Sequence, residues 1–253
     1  MSKLNFLILS LAMLIIPLVS ETLSGQENTT PNVTAKKIRV LIIDCQFKDY
    51  YPLGVTAKLM EQYLKTDKSI EVASVEDAEF LATDVIFDYD VLLLHFKNYK
   101  PLKRNETAQK NLAKFVENGG GLFVFHFACG AFEDWKEFDQ YSGRVWDKQK
   151  RAHDPYGKFT VEYVDHEHPI TKGLENFETS DELYTCLKDS DVPIHVLAEA
   201  TSKVDQKRYP MAFTAEKGKG RIFHTTLGHD DKSVNHKDFQ TLLQRAVYWV
   251  GKR

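Results

Sequence analysis

The hydrophobic pattern of this chain switches between two periods. Ile38-Arg39-Val40-Leu41-Ile42-Ile43 is a compact apolar run that stops at Asp44, and Val91-Leu92-Leu93-Leu94 is another that stops at His95. Leu122-Phe123-Val124-Phe125 follows Gly119-Gly120-Gly121 and stops at His126. Short runs that are apolar on both faces predict buried strands of a parallel sheet. Between them the apolar positions fall at helical spacing: Val55, Leu59, Met60 and Tyr63 within Leu53 to Leu64, then Leu112, Phe115 and Val116 within Thr107 to Val116. Ile70 to Val75 alternates and predicts a further strand. Strand and helix in turn predict right-handed βαβ units.

Beyond Phe132 the pattern changes. Glu133 to Tyr141 predicts a short helix, and Lys158 to Val164 and Ile194 to Leu197 alternate as antiparallel or edge strands do. Met211 to Ala215, the Gly218-Lys219-Gly220 turn and Arg221 to Thr226 predict a hairpin. Phe239 to Val250 predicts a closing helix that buries Leu242, Leu243, Ala246 and Trp249. The expected class is α/β, with a mainly parallel central sheet and antiparallel edge strands.

The N-terminus stands apart. Lys3 precedes a largely apolar stretch from Leu4 to Val19, followed by the small residues Ser20, Ser24 and Gly25. Residues 1–25 read as a signal peptide, 26–36 as a polar tether and 37–253 as one domain. An uncleaved anchor is the alternative, but the run is short for a span of about 20 residues. The chain is therefore expected to be exported, periplasmic or extracellular, with no membrane contact once the leader is removed. A formal net charge of −3 over 253 residues removes the usual support for nucleic-acid binding. Three cysteines, Cys45, Cys129 and Cys186, allow at most one internal disulfide, and a Cys45–Cys129 pair across the sheet edge is left open. A homo-oligomer is left open too.

Chemistry collects where strands end. In parallel sheets ligands bind outside the carboxyl ends of the strands. Asp44, His95 and His126 each terminate a strand, and Gly228-His229-Asp230 follows the late strand. Asp181 and Glu182 are adjacent, so in a strand they face opposite sides; Glu182 is assigned to the pocket, with Tyr184 on its face. His153, in a loop before a strand, is placed to close the site. His166 and His168 flank Glu167 in what reads as a structural turn. Trp135, Phe132 and Tyr141 offer a surface on which a ring could stack.

Several pieces in order carry a family resemblance. They are Gly119-Gly120-Gly121-Leu122 through His126; Trp135 with Tyr141, Gly143 and Arg144; His153-Asp154-Pro155; and Asp165-His166-Glu167-His168-Pro169-Ile170-Thr171-Lys172-Gly173-Leu174. Asp181-Glu182-Leu183-Tyr184 and Gly218-Lys219-Gly220-Arg221 through Gly228-His229 complete the set. From about Ile38 to Trp249 the chain resembles the ThuA-like family, named for trehalose utilisation, of the class I glutamine amidotransferase-like superfamily. The resemblance implies a flavodoxin-like three-layer sandwich. It also implies a role in the catabolism of trehalose, related disaccharides or keto-sugars, and so a small carbohydrate ligand. In the related amidotransferases a cysteine nucleophile occupies the turn after strand four; here that position is His126, and Cys129 comes three residues later. Glutamine hydrolysis is therefore not expected, and Cys129 reads as a small buried hydrophobe.

Two functional readings follow. In the first the chain is an enzyme on a sugar or keto-sugar, with His126, His229 and Glu182 catalytic and Asp44, His95, Trp135, His153 and Tyr184 binding substrate. Its variant has the histidines and Glu182 hold a divalent metal such as zinc, which spacing alone neither requires nor excludes. In the second it is a non-catalytic carbohydrate-binding domain that kept the pocket and lost the chemistry.

Overall fold

The apolar runs form one half of a nine-stranded sheet. The structure, a computed structural model, describes residues 36–44, 53–98 and 100–252. The leader expected over 1–25, most of the tether expected over 26–36, and Cys45 lie outside the described residues. In chain order the elements are β1 (Ile38–Asp44), α1 (Leu53–Leu64), β2 (Ile70–Val75), β3 (Val91–His95), α2 (Asn105–Glu117), β4 (Gly121–Phe125) and α3 (Asp139–Ser142). There follow β5 (Gly157–Tyr163), β6 (Phe177–Asp181), β7 (His195–Thr201), β8 (Arg208–Lys217), β9 (Gly220–Thr225), α4 (Asp231–Val234) and α5 (Lys237–Val250). Short 3-10 turns at 78–82, 84–88 and 126–130 complete the set.

The strand order is β2-β1-β3-β4-β9-β8-β7-β5-β6. The pairs from β2 through β9 are parallel. Every pair from β9 to β6 is antiparallel. The expectation of a mainly parallel sheet with antiparallel edges is corrected: the sheet is mixed, and its antiparallel strands make up a full half. The flavodoxin-like three-layer description gives way to an α/β fold with a large mixed sheet. The reason is local. The Gly218-Lys219 turn joins β8 directly to β9, and the short link 202–207 joins β7 to β8. Links this short can only join antiparallel neighbours, and no crossover helix separates β5 from β9.

In the parallel half, alternate residues of each strand face opposite sides. Ile38, Val40 and Ile42 of β1 pack with Met60 and Leu64 of α1 and Leu242 and Ala246 of α5. Leu41 and Ile43 pack with Leu112, Phe115 and Val116 of α2. Each such side chain contributes about 1.5–3 kcal/mol by leaving water. The helix expected over Glu133 to Tyr141 is reduced to α3. Phe132 takes a positive φ of 52°, and the Trp135 and Phe138 amides close successive three-residue turns instead of a helix.

Register brings chemistry to one edge. Asp44 lies opposite His95 across β1 and β3, and Phe125 lies opposite Thr225 across β4 and β9. The antiparallel half curls back to the same edge: Asp181, at the end of the far edge strand β6, accepts hydrogen bonds from the loop that follows β9.

Candidate functional site

His126 is the first residue past β4, and it occupies the left-handed region at φ 49°. For a residue with a Cβ this conformation costs on the order of 1–3 kcal/mol and persists only where packing enforces it. The turn swings the ring over the end of β9. There His126 Nδ1 lies 2.6 Å from the Thr226 carbonyl oxygen, to which its N–H donates. Nε2 is left as the lone-pair nitrogen, and the Tyr184 hydroxyl donates to it at 3.1 Å. Burial pushes the His126 ring down to about 3, against the pull of Glu182 and the Thr226 hydrogen bond. Near neutral pH His126 is a neutral base or ligand, not an acid.

Glu182 sits at the middle of the histidines. Its Oε2 is 3.1 Å from His229 Nδ1 and 3.7 Å from His126 Nε2, and its Oε1 is 3.4 Å from His153 Nε2. His153 donates its Nδ1–H to the Asp154 carbonyl at 2.7 Å, so its Nε2 also points inward as a lone pair. Burial pushes the Glu182 carboxyl up, but the His229 hydrogen bond and the surrounding imidazoles outweigh it and hold the group below the usual range. The same hydrogen bond raises His229, against its burial. Solvent reaches the cluster at two of its histidines: the side chains of His153 and His229 are 32% and 23% exposed, whereas His126 is 1% exposed.

A second carboxylate fixes the frame. Asp181 accepts from the Gly228 amide at 2.7 Å, the His229 amide at 3.2 Å, the Glu182 amide at 2.7 Å and the Ser233 hydroxyl. Burial raises its carboxyl to about 6 against these donors. Asp181 thus ties the end of β6, which carries Glu182, to the loop that carries His229. Tyr184 bridges back to His153 through an isolated antiparallel β contact. Burial raises its phenol well above the usual range, so it remains a donor.

The structure therefore assembles His126, Glu182, His229, His153 and Tyr184. Donor atoms of His126, Glu182 and His229 all lie within 4.8 Å of one another, a spacing one metal ion can bridge, and His153 reaches the other carboxylate oxygen. Asp44 and His95 form a neighbouring buried unit. His95 Nδ1 is 2.8 Å from Asp44 and Nε2 is 2.7 Å from the Thr56 hydroxyl, so both ring nitrogens are engaged within the fold. The Phe125 and Phe127 rings pack against the His95 ring at 5.3 and 4.9 Å. Trp135 stacks on Tyr141 at 5.0 Å and lines a separate cleft of about 520 Å³ with Trp146 and Lys188. The His166 to His168 segment is a turn, as expected, closed by Asp165 accepting the Glu167 and His168 amides.

Sequence reasoning missed the role of Asp181 and the carbonyls of Thr226 and Asp154. A buried acid beside the chosen Glu182 was the only signal for the first. The carbonyls carry none, because every residue has one.

Comparison with known proteins decides the family. The sequence profile described as ThuA, trehalose utilisation, matches residues 39–250. The chain belongs to the ThuA family. Among solved structures, this ThuA chain is similar to a ThuA-like protein from Parabacteroides merdae, with TM-score 0.71 and 24% identity over 85% of this chain and 90% of that one. A ThuA-like protein from Bacteroides uniformis gives TM-score 0.70 and 20% identity over 86% and 92%. A glutamine amidotransferase from Thermotoga maritima shares the fold at TM-score 0.54 and 10% identity, over 87% and 100%. The search of curated protein sequences finds no match. At the turn after β4 the ThuA chain presents His126, while Cys129 is fully buried with its thiol raised by burial. That is the environment of an inert thiol.

Proposed function

We propose that this ThuA-family chain is an exported, sugar-processing enzyme whose His126, His229, Glu182 and His153 hold a divalent cation such as zinc. One observation carries the reading: His126 and His153 each donate Nδ1–H to a backbone carbonyl, which turns both Nε2 lone pairs toward one anionic carboxylate. Imidazoles oriented in this way by carbonyls are the usual surroundings of a metal ligand. The donor set of nitrogens with one carboxylate oxygen suits zinc or a similar ion. Such a cation would polarise a carbonyl or hydroxyl oxygen of the substrate. The chain's own contribution is to hold the imidazoles and the Glu182 carboxylate in place; the Tyr184 hydroxyl, which donates to His126 Nε2 in this structure, would yield that lone pair to the cation and be freed as a donor. The family's trehalose description and the solvent opening at His153 and His229 support a small disaccharide or its keto form as substrate.

The test is metal content by plasma mass spectrometry on chain purified without added metals or chelators. The His126→Ala/His229→Ala variant runs alongside, followed by turnover of disaccharides and their 3-keto forms. Near-stoichiometric metal that the double substitution abolishes, with turnover lost in parallel, is expected. Wild-type chain without metal defeats the metal reading; sugar binding without product reduces the protein to a binding domain.

A further inference from the structure

Among the described residues the proposed chemistry leaves two cysteines unused, and both adjoin it. Cys129 comes three residues after His126, and Cys186 comes two after Tyr184. Both are free and fully buried. They pack with each other and with Tyr184, Trp146 and Leu187 in a small apolar cluster apart from the two main cores. The main chain imposes this closeness: the Trp146 amide donates to the Cys129 carbonyl at 2.9 Å and the Asp147 amide to the Cys186 carbonyl at 2.7 Å. Consecutive residues of one segment thus hold both cysteines.

We propose that Cys129 and Cys186 are a disulfide-forming pair that clamps the turn carrying His126 to the segment carrying Glu182 and Tyr184. Oxidation joins the two Sγ atoms. The two electrons and both protons pass to a small-molecule disulfide such as glutathione disulfide, which leaves as two thiols. In the folded chain burial, with the Cys186 thiol beside it, holds the Cys129 thiol well above its usual range, which suppresses thiolate attack. The bond therefore forms while the chain folds, in an oxidising compartment of the kind an exported chain meets. The inference stands on the contact between these side chains and on the export proposed above, and is independent of the metal and the sugar.

The experiment is refolding of the full chain in a glutathione redox buffer, alkylation with iodoacetamide and peptide mass mapping. The Cys129 and Cys186 peptides are expected as a cross-linked pair, lighter than their sum by two hydrogens, with only Cys45 alkylated. The cross-link should persist in Cys45→Ser and vanish in Cys129→Ser. Reduction should then lower the Tm of the wild type by on the order of 10 °C, since the bond closes a long loop. Alkylation of both Cys129 and Cys186, or pairing of either with Cys45, overturns the proposal. If Cys129→Ser fails to fold, the wild-type peptide map decides alone.

Discussion

Glu182 is the one anion that three imidazoles share, so its charge decides what the cluster can hold. Glu182→Gln keeps the shape and removes the charge. Zinc affinity, measured by competition with a chromogenic chelator, should fall at least about 100-fold, with the circular dichroism spectrum unchanged. Asp181 acts at one remove, by positioning. Asp181→Asn replaces one of the two oxygens that accept from the Gly228 and His229 amides with an NH2 donor, so one of those amides then faces another donor. Loss of such a supporting partner costs about 10–100-fold in metal affinity, and the double substitution with His229→Ala should lose less than the sum of the two single losses, because Asp181 would act through His229. His126 and His229 were readable in the sequence because each follows a strand. The orienting carbonyls of Thr226 and Asp154 were not, because main-chain acceptors leave no mark on residue type; Thr226 becomes legible only when β4 is known to lie beside β9.

At the scale of elements, the β4 and β9 ends meet so closely that side chains run out of room. Gly228 has φ 116°, and a Cβ there would come within 2.1 Å of the Phe125 ring. Gly228→Ala should therefore destabilise the fold by about 1–3 kcal/mol through backbone strain and overpacking, seen as a lower midpoint in urea unfolding. The parallel strands were legible because burial on both faces writes continuous apolar runs such as Val91 to Leu94. The antiparallel half was legible as strands but not as half of the sheet. Alternation in Lys158 to Val164 says that one face is wet; it does not say which strand lies alongside. The short helix over Glu133 to Tyr141 failed for a related reason: Trp135, Phe138 and Tyr141 are spaced as a helical stripe, yet they stack on one another across successive turns.

For the whole molecule, the buried histidines set an acid limit. His224 of β9 is fully buried, donates Nδ1–H to the Ser142 carbonyl at 2.8 Å and leaves Nε2 without a partner. Burial pushes its ring down to about 4 from 6.5. As pH falls, the unfolded chain takes up this proton near 6.5 and the folded chain only near 4. Stability is thus complete above that window and is lost through it. Urea midpoints should decline between about pH 6.5 and 4, and more shallowly in His224→Phe if that variant folds. One further consequence follows from the strand order. Glu182 hangs from β6, which among the described strands has only β5 beside it, whereas His126 hangs from β4, held between β3 and β9. Edge elements open locally at lower free energy than central ones. Amides of 177–181 should exchange with deuterium faster than those of 121–125, and added zinc should slow the former selectively. The bound ion would then act as a latch: it would fasten an edge strand of the sheet to an inner one, so that occupancy of the site and closure of the sheet rise and fall together.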